Sequence, residues 1–118
     1  MFEFYINNNL IRVGSNAHDN WDLIDTIKKN DIWVHLKDKP SCHAVIRIPK
    51  KSRDERSLEN MLSYTGRMIC MKSSKHIPEN SKKVELTYTK GKYVKKGSKV
   101  GEAILSKTPE TFVIENPN

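Results

Sequence analysis

Phe2, Phe4 and Ile6 alternate with Glu3 and Tyr5 at the start of the chain, the period of a half-buried strand. Asn7-Asn8-Asn9 follows, and Asn tolerates the positive φ that a tight turn demands. Leu10-Ile11-Arg12-Val13 then returns, so this stretch predicts a β-hairpin that Gly14 ends. Asp19 is expected to N-cap a short helix reaching about Lys29, with Asp22 in its first turn and Leu23, Ile24 and Ile27 on one face. Asn30-Asp31 closes that segment.

The most regular alternation comes next. Ile32-Trp33-Val34-His35-Leu36 and His43-Ala44-Val45-Ile46-Arg47-Ile48 both read as strands, joined by a connection containing Pro40. Side chains alternate across a strand, so each segment has two faces. Ile32, Val34 and Leu36 with Ala44, Ile46 and Ile48 make one face wholly apolar. The other carries Trp33 and His35 with His43, Val45 and Arg47. If the strands pair, that face gathers an indole, two imidazoles and a guanidinium, a composition suited to a site more than to packing.

Pro49 and the polar run from Lys50 to Arg56 predict a surface loop. Ser57 is expected to cap a helix running to about Ser73, with Leu58, Met61, Leu62, Thr65, Met68 and Ile69 packing on the apolar sheet face. Ser74 to Ser81 is expected to be a loop. Val84 to Thr89 alternates as a strand, Lys90-Gly91-Lys92 turns, and Tyr93-Val94 opens another short strand. A basic turn from Gly97 to Gly101 precedes Glu102-Ala103-Ile104-Leu105, and Phe112-Val113-Ile114 is the last strand. The expected fold class is α+β: a single domain over residues 1–118, with a mostly antiparallel sheet, one main helix and one short helix.

Composition supports this and adds a direction. The 118 residues are 36% hydrophobic and 30% charged, the balance of a folded soluble chain with one core. No apolar run approaches the roughly 20 residues a bilayer span needs, so no membrane partner is expected. The N-terminus lacks the features of a secretory signal, and two cysteines make no disulfide scaffold, so a reduced, cytoplasmic setting is expected. The net charge is +7, and it is uneven: residues 1–48 are neutral, whereas residues 82–107 hold eight basic side chains against two acidic. Such a balance favours a polyanionic partner. Sixteen of the 21 cations are Lys, which meets phosphate as a point charge rather than reading bases bidentately.

Several chemistries are set aside. No phosphate-binding Gly-rich loop, dinucleotide fingerprint or nucleophile elbow occurs, so no nucleotide cofactor is expected. Cys42, His43, Cys70 and His76 lack metal-ligand spacing. His35 and His43 are the one pair suited to acid–base cleavage of RNA through its 2′-hydroxyl; the alternative is two imidazoles hydrogen-bonded within a packed sheet, and no enzyme is expected. From Lys82 to Lys107, cations interleave with Tyr88 and Tyr93, a pattern that tracks a phosphate backbone and stacks on unpaired bases, or that merely solvates an edge.

Gly14-Ser15-Asn16-Ala17-His18-Asp19-Asn20 resembles the G-x-N-A-x-x-N signature that opens the NFACT-R domain. Asp31-Ile32-Trp33-Val34-His35 resembles its D-[IL]-W-x-H segment, and Pro40 to Arg47 its P-G-S-H-x-x-[IL]-[RK] stretch. Thr87-Tyr88-Thr89, Tyr93-Val94-Lys95-Lys96 and Gly101-Glu102 continue the likeness, which covers residues 2 to 115. Ser15 stands where the family often has Arg, and Ser41 where it often has Gly. The resemblance implies a short stand-alone member of a family forming the RNA-binding part of large ribosome quality-control proteins, which engage tRNA and the large ribosomal subunit. Short members also include one associated with DNA binding. The implied function is a non-catalytic module for structured RNA, tRNA or ribosomal RNA, with DNA, a ribonuclease and a ribosome-docking adaptor as alternatives. The expected site is the Trp33, His35, His43 and Arg47 face, with Asn16 and Asn20 at its rim. Tyr88, Lys90, Lys92, Tyr93, Lys95, Lys96 and Lys99 are expected to hold the nucleic acid. A lone Trp on a strand is more often core than a base-stacking platform, and both asparagines equally suit local backbone bonding.

Overall fold

The computed structural model describes residues 1–48 and 55–118. Its centre is one six-stranded antiparallel sheet. The strands are β1 (Phe2–Ile6), β2 (Asn9–Val13), β3 (Ile32–Leu36), β4 (Ala44–Ile46), β5 (Lys83–Lys90) and, completing the sheet, the last strand of the chain (Glu110–Glu115). Between those last two, β6 (Val94–Lys96) and β7 (Ala103–Leu105) form a separate two-stranded hairpin, so the final strand is β8. The sheet order is β1-β2-β4-β3-β5-β8. The first hairpin closes as expected, on Asn7 and Asn8 with φ of 50° and 66°.

The two expected strand faces are both real. Ile32 pairs with Ile46 and Val34 with Ala44, while Trp33 pairs with Val45. The apolar face packs under helix α2 (Glu55–Lys72), whose Met61, Leu62, Thr65 and Ile69 are buried. With Ile11, Val13, Leu36, Leu86 and Ile114 they form the main core. Met68 is half-buried. The helix starts at Glu55, so Ser57 lies inside it and is not its cap. Of the expected Pro49–Arg56 loop, residues 49–54 lie outside the described residues, and Glu55 and Arg56 are helical. The expected loop after α2 begins with a 3-10 turn, Ser74–His76.

The opposite face is less open than its composition predicts. Helix α1 (Ala17–Thr26) and the β6–β7 hairpin cover part of it with a second apolar cluster of Leu23, Ile24, Trp33, Val45 and Val94. This helix stops at Thr26, short of the expected Lys29. The reason is Asp31, whose fully buried carboxylate takes the Lys28 N–H at 2.9 Å and turns the chain toward β3. The same carboxylate accepts Arg47 Nε at 3.0 Å and the Ile48 N–H at 3.4 Å. The Asp31 carbonyl accepts the Gly91 N–H at 2.7 Å. Gly91 suits this approach because a Cβ there would lie 2.2 Å from the Lys28 carbonyl oxygen.

Asp31 thus ties α1, β3, β4 and the end of β5 together. Asp31→Ala strands the buried Ile48 N–H and the partly buried Lys28 N–H and removes the partner of a half-exposed guanidinium, so a loss of about 3 kcal/mol is expected. Urea unfolding measures it; a loss below about 1 kcal/mol contradicts the assigned role.

Candidate functional site

The segment Gly14 to Asn20 is built to seat His43. Asn16, extended at φ −157°, caps α1: its side-chain oxygen accepts the Asp19 N–H at 2.9 Å. Asp19 is therefore a first-turn residue and not the cap. Its half-buried carboxylate accepts the Ser15 N–H at 2.9 Å, and that bond, with the N-terminal ammonium 3.1 Å away, holds its pKa below the usual value. One turn on, Asn20 is only 8% exposed, and its Oδ1 accepts the His43 N–H at 3.0 Å. The Gly14 N–H donates to the His43 carbonyl at 2.9 Å. A Cβ on Gly14 would sit 2.4 Å from Asn20 Oδ1, so that position must stay bare.

The His43 ring then meets Trp33 and His35. Trp33 Nε1 donates to His43 Nδ1 at 3.2 Å. Trp33 and His35 stack with centroids 5.3 Å apart and planes 8° from parallel, and His43 stands edge-on to both, 5.0 Å from His35. His35 Nδ1 lies 2.6 Å from the Leu36 carbonyl oxygen. Trp33 is 4% exposed, so it supports the imidazoles rather than offering a stacking platform. Burial, with His35 as a secondary cause, pushes the His43 pKa down to about 3. Burial also lowers that of His35, against the opposing bond to Leu36.

These rings line a cleft of about 630 Å³. It is bordered by Asn16 and Asn20, by the β3–β4 connection at Pro40 to Cys42, and by the end of α2 with Lys72, Ser73, Lys75 and His76. The remaining border is the β6–β7 turn, at Val100 to Ala103. Ser73 Oγ accepts the Cys42 N–H at 3.2 Å, joining two of those borders. Burial raises the Cys42 thiol pKa. No group of three metal-ligating side chains occurs among the described residues, and no helix there is long and apolar enough to cross a membrane.

The structure unites five of the expected residues: Asn16, Asn20, Trp33, His35 and His43 all border the cleft. Arg47 does not; it sits on the same face, but beside Asp31 at the far end of β4, in an ion pair. Tyr88 pairs with Val34 and Lys90 with Ile32, which puts both on the α2 side of the sheet, away from the cleft. Tyr88 packs edge-on against Phe112 there. The Tyr93 ring is flanked by Lys92 and Lys107 ammonium groups at 5.1 and 5.2 Å. Lys96 pairs with Asp25 at 2.8 Å and lies over the Trp21 ring. Lys95 and Lys99 are exposed on the hairpin that borders the cleft. Sequence reasoning missed Lys72, Ser73, Lys75, His76 and Trp21. Trp21 Nε1 donates to the Glu102 carbonyl at 3.0 Å and so fixes the β6–β7 turn against α1.

Fold and cleft together define an α+β domain whose site has a neutral, hydrogen-bonded floor and a cationic border. The profile of the NFACT protein RNA binding domain matches residues 1–107, and the chain belongs to that family. Among solved structures it is similar to the C-terminal part of the fibronectin/fibrinogen-binding protein from Streptococcus suis. The TM-score is 0.68 at 23% identity, over 90% of this chain and 40% of that one. That likeness is one of fold, and the chain spans well under half of the solved relative. No curated protein matches the chain.

Two neutral buried imidazoles make stability sensitive to acid. Their folded pKa values lie below the unfolded value of 6.5, so the unfolded chain binds more protons between about 3 and 6.5. Stability is complete above that window and falls with pH inside it, by about 1.4 kcal/mol per pH unit for His43 alone. Urea midpoints measured near neutrality and near pH about 5 should show this, with a smaller difference for His43→Gln. An equal difference in the variant removes His43 as the cause.

Proposed function

We propose that this chain is a non-catalytic domain for structured RNA, tRNA or ribosomal RNA, acting as a single unit over residues 1–118 in a cytoplasmic, ribosome-associated setting. The carrying observation is the border of the cleft. Lys72 and Lys75 lie at the end of α2, and Lys95 and Lys99 project from the hairpin that forms the neighbouring wall. Neither Lys95 nor Lys99 is ion-paired among the described residues. Lysines on the cleft border and on the hairpin beside it suit a phosphate chain, whose bound counterions they release. Membership of an RNA-binding family supports RNA as the kind of partner. The histidine pair favours binding over cleavage: His43 holds a proton too weakly to act as a general acid near neutrality, and its Nδ1 is already engaged.

The test is tRNA binding across a salt series, with Lys95→Glu/Lys99→Glu beside the parent. These two side chains carry no packing role, so the fold should persist. Affinity should fall about tenfold or more, and the salt slope should flatten by about two, one for each lost phosphate contact. Unchanged affinity takes the hairpin out of the interface. Duplex DNA competing as well as tRNA turns the reading toward DNA, because A-form shape and the 2′-hydroxyl distinguish RNA readers.

A further inference from the structure

The two imidazoles of the cleft are locked in opposite tautomers. A carbonyl oxygen only accepts, so His35 Nδ1, bonded to Leu36, carries that ring's proton and leaves Nε2 as a bare acceptor. An indole N–H only donates, so His43 Nδ1, bonded to Trp33, is the acceptor, and the His43 proton sits on Nε2. Neither Nε2 has a partner among the described residues. Neither is sealed in, since Thr65 Oγ1 is the sole buried side-chain nitrogen or oxygen there without one. The ring centroids are 5.0 Å apart and both rings line the cleft. One acceptor and one donor therefore open side by side on the same space.

That pair selects its ligand by chemistry. A phosphodiester or a carboxylate only accepts, so it satisfies His43 but sets its charge against the lone pair of His35. An ammonium or guanidinium only donates and fails at His43. The complement is a neutral group with an N–H beside an acceptor. Each nucleobase carries such a pair on its Watson–Crick edge, and unpaired bases are the usual target of RNA readers. A carboxamide offers the same two atoms, but not an attached phosphate for the cations at the border.

We propose that the cleft takes up one unpaired nucleobase, which donates to His35 Nε2 and accepts from His43 Nε2, while Lys72 and Lys75 meet its phosphate. This rests on the RNA-binding reading and deepens it. All four bases offer the edge, so the pair distinguishes an unpaired base from a paired one more than one base from another. Burial keeps both rings neutral near pH 7, which preserves the donor–acceptor pair.

The test is nitrogen NMR of the imidazoles and of Trp33 Nε1, with millimolar uridine 5′-monophosphate and adenosine 5′-monophosphate. Ribose 5-phosphate, inorganic phosphate and N-acetylglutamine amide are the controls. The free protein should show His35 protonated at Nδ1 and His43 at Nε2, and both nucleotides should move both Nε2 signals. Ribose 5-phosphate should bind about tenfold more weakly than either nucleotide, the worth of roughly one or two hydrogen bonds. His35→Phe keeps an aromatic ring on Trp33 and should lower nucleotide affinity by a similar factor, leaving the salt slope for tRNA unchanged.

Reversed tautomers overturn the inference. So do equal binding of ribose 5-phosphate, tighter binding of the glutamine amide, and imidazole signals that no nucleotide moves. If tRNA still binds with a steep salt slope in that last case, the base site falls and the RNA reading stands. Nucleotides that move both rings of a protein with no affinity for tRNA uphold the base site and overturn the RNA reading.

Discussion

The two backbone polar groups of His43 are where segments far apart in the chain meet. Gly14, at the end of the first hairpin, donates to its carbonyl, and Asn20, on the first helix, accepts its N–H. Leaving either buried group unpaired costs about 1–3 kcal/mol, so hairpin, helix and strand are fastened by satisfying one residue's backbone. The Asn16 cap sets where the helix starts, and so where Asn20 stands one turn later. The Gly14-to-Asn20 motif is thus an assembly device first. It reaches function by aiming the His43 ring at Trp33 and His35.

Charge is sorted around that point. Arg47 and Asp31 neutralise each other at one end of the strand pair, and the imidazoles between are uncharged. Two cations, Lys72 and Lys75, line the cleft, while Lys83 and Lys90 on β5 lie away from it. A net charge of +7 overstates the free cations, because Lys96 is held by Asp25, Lys92 and Lys107 lie against Tyr93, and Lys72 lies over the Phe2 ring at 5.5 Å. On the proposed reading, long-range attraction and local recognition fall to different residues. Charges attract a polyanion over about a Debye length, whereas neutral hydrogen-bonding groups act only on contact.

The alternation of Ile32 to Leu36 and of Ala44 to Ile46 was legible because a strand's side-chain period is strict and both faces were distinctive. The Asn7–Asn8 turn and the apolar stripe of α2 were legible for similar local reasons. The cap at Asn16 was not, since Asn16 and Asp19 both have capping side chains and only geometry decides which one accepts. Nor was the use of Arg47, whose partner Asp31 faces it across the strand pair and reads locally as a turn residue. Lys72, Lys75 and Val100 to Ala103 were hidden for a deeper reason. They border the cleft through tertiary closure, and although Gly97 to Gly101 stood out as a basic turn, nothing in either segment says that it meets the imidazoles.

That closure joins the two sides of the sheet. Ser41, at a position often glycine in the family, closes the β3–β4 connection with its hydroxyl, which accepts the Leu36 N–H at 3.1 Å and donates to the Cys42 carbonyl at 2.9 Å. Ser73, just past α2, takes the Cys42 N–H on its own hydroxyl. The end of α2 is thereby tied to the strand connection beside His43. Packing of Met61, Leu62 and Ile69 under the sheet then fixes Lys72 and Lys75 relative to a floor on the opposite face. The apolar core meets the cleft at Cys42 and Trp33, and it sets the spacing between the cations and the imidazoles. Any ligand that spans both is measured against that core.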